Sequence, residues 1–384
     1  MITKTNSQTS RQLKEFDRAI MVGTYFGFMP VMAPKITQSD IDLSRSCMDH
    51  PHYDAVEKVA LIRTYLERNL ASLPHPLALA YKKPVSRKKY GSHALHFIGS
   101  PSGIAEAALI RATLSILSEE GHKNLRVDIN CVGDKESINS YERELTNYVR
   151  RSGVNLSDEL KQSVKENIFN LFRTESPEAQ SLREMAPSSI TFLSAPSRLY
   201  FKEVLEYIEA LGIEFRLTPE LVGDKNHTSH TIFAIKDVDA QNGEALAVGY
   251  RYSRLARLFG LRKEIPMAGV NIFSNSTKDT SGKIYKELPK PKFYLVQLGQ
   301  EAKIKTLSLI ELLRTHHIPV HHFIGKDKLA SQLTNAENLR VSHLIIIGQK
   351  EALDSTATVR NMSTRAQDTI SMLDLPQFLK NIKI

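Results

Sequence analysis

Cysteine is nearly absent from this 384-residue chain: Cys47 and Cys131 stand far apart and form no CxxC pair. That argues against a disulfide framework and a cysteine-built zinc site. Long apolar runs are missing too. No stretch approaches the roughly 20 residues that a membrane helix needs. The N-terminal MITKTNSQTSRQLKEF has no apolar core of the signal-peptide kind. A cytoplasmic protein without membrane association is therefore expected. Acidic residues are in deficit, with 42 Asp and Glu against 51 Lys and Arg, a net charge of +9. A basic surface gains from counterion release when it meets a phosphate backbone, so nucleic acid is the expected partner, with solubility as the simpler alternative. The remaining composition, 41% hydrophobic and 24% charged, is that of a folded globular protein. The length implies two or three units, each with its own core.

Periodicity places the elements. Leu13, Phe16, Ile20 and Met21 fall at helical spacing within Ser10–Thr24, and YFGFMPVMAP then reads as a strand broken in by Gly27 and ended by Pro34. Helices are predicted over Asp54–Leu70, Ile104–Glu119, Lys135–Arg151 and Ala195–Leu211. Strands are predicted in PHPLALAYKKP, HALHFIG, Asn124–Val132 and IEFRLTP. The less regular span 152–189 reads as an inserted helical subdomain. Pro219–Phe233, PELVGDKNHTSHTIF, followed by AVGYRYSRLARLFG over Ala247–Gly260, places polar residues between strand-like runs and marks the expected ligand site. The span from Ser274 to Lys292 is polar, basic and aperiodic, as a linker would be. Beyond it FYLVQLG, IPVHHFIG and HLIIIG alternate with helices over Ile304–Arg314 and Leu329–Leu339. That order predicts a largely parallel sheet covered on both faces. TATVRNM and QDTISM add strand-like runs, and LPQFLKNI a last helix.

Basic residues cluster in KKPVSRKKY. Lys82, Lys83, Lys88 and Lys89 are the expected nucleic-acid contacts, against the alternative of a solvated loop. His227 and His230, three apart on a strand, would point to opposite faces, which is poor geometry for a shared metal. The pairs His316-His317 and His321-His322 read as structural or weakly RNA-facing. The cluster Arg251, Arg254, Arg257, Arg262 and Lys263 reads as a ligand-facing patch or a solvated helix face.

The order of these strings resembles the histidyl branch of the class II aminoacyl-tRNA synthetases over nearly the whole chain. Gly27-Phe28 followed by Pro34 is similar to the first class motif, which lies at a dimer interface. Tyr81, Pro84 and Arg87 resemble the start of the second, whose arginine holds the ATP α-phosphate. INCVGDKES looks like the segment after that motif, LVGDKNHTSHTIF occupies the place of the histidine-recognition segment, and VGYRYSRL resembles the GRYDGL segment. VQLG to the end is similar to the anticodon-binding domain shared by several synthetases. The resemblance implies an α+β fold: an antiparallel sheet core with helices over 1–273, with the insertion at about 152–189. A linker over 274–292 and an α/β anticodon-binding-like domain over 293–384 complete it. It also implies a homodimer.

The departures bear on chemistry. Where the family reads RGLDYY, this chain has Gly223, Asp224, Lys225, Asn226, His227 and Thr228. A glycine donates no charge-assisted hydrogen bond to a developing anion. Ser276 stands near the third-motif arginine, and Lys88 or Lys89 where an adenine-reading acid is expected. Removing one such preorganised donor commonly costs about a hundredfold in rate. The expectation is a synthetase-like paralogue without ordinary adenylation that binds tRNA or another structured RNA, or regulates a partner. The first alternative is a diverged active histidine-tRNA ligase using ATP and Mg, with Arg87 on phosphate and Lys225 replacing the lost arginine. The second is a regulatory subunit of ATP phosphoribosyltransferase. Expected ligand-binding residues are Arg87, His227, Arg251 and Tyr252; no cofactor or metal is expected otherwise.

Overall fold

Side chains alternate across two sheets, and that alternation decides which helices cover each face. The computed structural model describes residues 16–45, 47, 54–83, 91–240, 243–274, 285–288, 290–325 and 328–382. It opens with α1 (Arg18–Tyr25), β1 (Met29–Pro30), α2 (Gln38–Ser44), α3 (Ala55–Glu67), β2 (Leu77–Lys82) and β3 (Gly91–Ile98). Then come α4 (Ile104–Glu119), β4 (Leu125–Gly133) and α5 (Lys135–Arg151), and an insertion holding α6 (Asp158–Glu166) and α7 (Pro177–Glu184). After α8 (Ala195–Ala210) follow β5 (Phe215–Leu217), β6 (Ser229–Asp237), β7 (Ala245–Arg251) and β8 (Met267–Ser274).

These eight strands form one sheet in the order β1-β2-β3-β8-β7-β6-β4-β5. Every pairing is antiparallel except β1 with β2 and β4 with β5, the two edges. Along β3, Leu95 and Phe97 face one way and join the core under α4 and α8, whereas Ala94 and Ile98 face the other and pack against Val59, Ile62 and Tyr65 of α3. Such period-two sorting is what a sheet buried on both faces requires. The insertion packs on α5 in a separate small core around Tyr141, Phe169 and Leu182.

The C-terminal part runs β9 (Phe293–Gln297), α9 (Gln300–Thr315), β10 (Val320–His322), α10 (Leu329–Leu339), β11 (His343–Ile347), α11 (Gln349–Asp354), β12 (Thr356–Asn361), β13 (Gln367–Ser371) and α12 (Leu375–Asn381). Its sheet order is β10-β9-β11-β12-β13. The first three strands are parallel, as expected, but β12 and β13 turn back antiparallel through a tight connection with Arg365 at φ 61°. Leu307 and Ile310 of α9 belong to the same apolar cluster as α1 and α4, so this domain is docked on the core. Tyr285, inside the expected linker, makes a two-way backbone bridge to Phe16.

Two expected strands are shorter than the periodicity suggests. Tyr25–Pro34 contributes only Met29–Pro30, because α1 continues to Tyr25 and Gly27 then turns at φ 81°. The stretch from Pro219 becomes a strand only at Ser229. Among the described residues no helix is long and apolar enough to cross a membrane.

Candidate functional site

The segment before β6 is a tight turn. Gly223 has φ 63°, a conformation L side chains rarely adopt, and a Cβ there would lie 2.5 Å from Thr228 Oγ1. That hydroxyl accepts the Asp224 N–H at 3.0 Å, the Thr228 N–H donates to the Asp224 carbonyl at 2.8 Å, and the Asp224 carboxylate accepts the Asn226 N–H at 2.6 Å. Arg173 reaches from the insertion to donate to the Gly223 carbonyl. Arg254 donates to the Lys225 carbonyl at 2.7 Å. The turn drives His227 into the interior, where burial lowers its pKa against the pull of Asp224, 3.5 Å away. His230 stands one residue into β6 at φ 51°, 4.8 Å from the ring of Tyr200.

Arg251 ends β7 and is buried. Its Nε donates to Glu106 Oε1 at 2.7 Å and its Nη2 to Oε2 at 2.9 Å, while Nη1 donates to the Ser100 carbonyl at 2.9 Å. The Tyr200 hydroxyl donates to the same carboxylate at 2.7 Å, and its ring lies under the guanidinium at 5.1 Å. Burial opposes the charge on Arg251, but Glu106 more than offsets it and keeps the guanidinium ionised. A two-point pair of this kind uses most of what a guanidinium offers.

A second buried group lies on the other face. The Tyr252 hydroxyl meets His96 Nδ1 at 2.8 Å, and His96 Nε2 meets the Tyr81 hydroxyl at 2.9 Å. Burial holds His96 far below its ordinary pKa, so the ring is neutral and offers one donor and one acceptor to the two tyrosines. Gly269, opposite His96 across the β3–β8 pair, leaves room for that ring: a Cβ there would lie 2.2 Å from His96 Nδ1. Lys58 of α3 places its ammonium 4.8 Å from the Tyr250 ring centre and 5.7 Å from that of Tyr252.

Of the expected site residues, His227, Arg251 and Tyr252 all lie in the interior, on two faces of the sheet, and Tyr250 packs 5.4 Å from His227 and 6.0 Å from Tyr252. Lys225 ion-pairs with Glu142 of α5 at 2.7 Å. The basic stretch divides. Lys82 is exposed, 3.5 Å from Asp17, but Lys83 is turned inward and ion-paired with Asp54, at 2.8 Å, and with Glu57. Lys83 is thus withdrawn from the surface expected to meet phosphate. Arg87, Lys88 and Lys89 lie outside the described residues. Among the described residues no group of three or more His, Cys, Asp or Glu could hold a metal ion.

Glu106, Lys58 and His96 are absent from the sequence-derived set. The available signal was charge inside an apolar helical stretch, a lone glutamate in IAEAALI for Glu106 and an adjacent Glu-Lys pair in VEKVALI for Lys58. A charge so placed is buried only with a partner.

Known proteins agree with this architecture. Residues 292–382 match the anticodon binding domain family. The histidine–tRNA ligase of Thermosynechococcus vestitus is 25% identical over 330 residues, spanning 82% of this chain and 76% of its own length. That of Halothermothrix orenii is 26% identical over 336 residues, spanning 84% and 80%. The crystal structure of apo Staphylococcus aureus histidyl-tRNA synthetase superposes with a TM-score of 0.50 at 21% identity, covering 94% of this chain and 93% of that one. The chain thus has the fold of the histidyl-tRNA synthetases it resembles, an eight-stranded sheet core followed by a C-terminal anticodon-binding domain.

Proposed function

We propose that this protein binds tRNA or a similarly structured RNA and does not adenylate histidine. One observation carries the second half. Gly223 stands where the resemblance expects an arginine, and its left-handed backbone and the 2.5 Å approach of Thr228 leave no room for any side chain. Restoring the arginine would require a different turn, so the substitution is built into the local fold. The remaining cations support the same reading. Arg251 is held by Glu106, and Lys225, the alternative phosphate ligand, is held by Glu142 on α5. A cation already neutralised by a fixed carboxylate gives little stabilisation to a new anion. ATP and Mg belong to the active-ligase reading.

The first half rests on the C-terminal domain and on charge. Residues 292–382 match a family named for anticodon binding, and the net charge is +9. Met32, Ile36 and Ile41 are exposed beside β1, near the first-motif segment, and support a homodimer through that edge.

Two measurements test the proposal. Histidine-dependent ATP–pyrophosphate exchange is expected to be absent, and robust exchange abolished by Arg87→Ala would overturn it. Filter binding of tRNA across a salt series should show log affinity falling with log salt, with a slope of about −0.7 to −0.9 per phosphate contact. A flat dependence would count against RNA.

A further inference from the structure

Lys58 is a fully buried lysine of α3, next to the buried Glu57. An ammonium withdrawn from water is costly unless its surroundings return comparable electrostatic stabilisation. The surroundings include the π faces of Tyr250 and Tyr252, at 4.8 and 5.7 Å. An aromatic face within about 6 Å attracts a cation, more strongly when both are desolvated. Both rings are themselves fixed: Tyr252 by its hydroxyl contact with His96 at 2.8 Å, Tyr250 by packing against His227 at 5.4 Å. Burial and the nearby Lys83 ammonium lower the Lys58 pKa to about 8, against the pull of Glu57 and Asp54 at the same end of the helix. Both also carry the ion pair to Lys83.

We propose that the tyrosine pair is a cation site for a primary alkylammonium, and that the chain occupies it permanently with its own Lys58. The inference rests on reading this centre as catalytically silent and gives that silence a second cause. A ligand bearing an amino group must displace a tethered ammonium already at effectively high local concentration. The occupant is also dimensioned. Truncating Lys58 to alanine removes three carbons and the ammonium, so the vacated space has the size and charge of n-propylammonium.

The test compares the full-length chain with Lys58→Ala, and follows thermal unfolding against n-propylammonium chloride at constant ionic strength. The variant's midpoint should rise saturably by about 2 °C or more, while the wild type does not respond. Equal responses in both proteins, or an equal rise with uncharged 1-propanol, would overturn the proposal. Should Lys58→Ala fail to fold, two further readouts decide. Lys58→Met keeps the apolar volume and is expected to fold without responding to the amine; a saturable rise in it equal to that of an alanine-sized cavity would refute the assignment. In the wild type, one lysine Cε proton resonance should be displaced upfield by the tyrosine rings, and its absence would do the same. A negative amine result with no ATP–pyrophosphate exchange defeats this inference alone, whereas measurable exchange defeats the proposed function independently.

Discussion

Arg251 and Glu106, 145 residues apart in sequence, meet in a two-point ion pair at 2.7 and 2.9 Å inside the protein. The pair ties the end of β7 to the first turn of α4, and Tyr200 from α8 closes over it. Coulombic attraction and desolvation nearly cancel in such a pair, but removing one partner leaves the other charge buried alone. Glu106→Gln should therefore destabilise the core by about 3–5 kcal/mol. The double variant Glu106→Leu/Arg251→Met should recover most of that loss. Urea unfolding of the three proteins checks this, and a double variant no better than Glu106→Gln would refute it.

Much of the fold is legible in the sequence because its signals are local. Helices Ile104–Glu119 and Lys135–Arg151 begin and end where periodicity places them, the second because Asp134 accepts the Ser137 N–H at 2.9 Å as its cap. The stretch at Pro219 deceives for a local reason too. Strand-like runs flank its polar residues, but the Asp224 side chain and Gly223 at positive φ favour a turn over extended backbone between them. The antiparallel end of the second sheet hides because strand residues carry no sign of pairing direction. The candidate site is less legible. Arg251 and Tyr252 stand out as retained family residues, but the partners that neutralise or bury them come from α3, α4 and α8. No spacing rule connects Lys58 to Tyr250 or Glu106 to Arg251.

Gly269 illustrates a packing requirement that can be tested. It lies opposite His96 on one neighbouring strand and Tyr250 on the other. Adding a methyl group brings a carbon to 2.2 Å from His96 Nδ1, the atom that contacts the Tyr252 hydroxyl. Gly269→Ala must push the imidazole away or shift the strand, at about 1–3 kcal/mol. The expected result is a lower unfolding midpoint together with a changed His96 imidazole signal in NMR spectra. An unchanged His96 resonance would show that the strand, not the ring, absorbs the strain.

The C-terminal domain is fixed to the core by an alternating charge chain. Glu311 on α9 accepts from Arg111 at 3.2 Å, from Ser115 at 2.9 Å and from Arg314 at 2.8 and 2.9 Å, and Arg314 continues to Glu119 at 2.9 Å. Burial raises the Glu311 pKa, but the hydrogen bonds and charges of Arg314 and Arg111 hold it below the ordinary value. Glu311→Ala removes the acceptor common to three donors on two domains. A loss of about 1–3 kcal/mol in docking is expected. It should appear as faster amide exchange in α4 and α9 and a larger radius of gyration by small-angle scattering. Exchange confined to α9 would mean that the charges stabilise the helix and not the domain contact.

His322 contributes to the same junction and gives it a pH dependence. Its Nε2–H donates to the Tyr25 carbonyl at 3.1 Å, and its ring lies under Gly27, where a Cβ would approach Cε1 to 2.8 Å. Burial pushes its pKa down to about 4, with the Tyr25 carbonyl pulling the other way. The unfolded value is near 6.5, so the folded protein favours the neutral ring. Stability from this group is complete above about pH 6.5 and is lost as pH falls toward 4, because protonation then favours the unfolded chain. Between pH 7 and 4.5 the loss should be roughly 2 kcal/mol, from about 1.4 kcal/mol per pH unit over the affected window. His322→Gln keeps a donor for Tyr25 without a titrating ring. Carboxylates titrating over the same range act alike in both proteins, so the difference between wild type and variant isolates His322. The wild type should lose more stability than His322→Gln across this window, and parallel pH curves would show that His322 does not set the pH response of the junction.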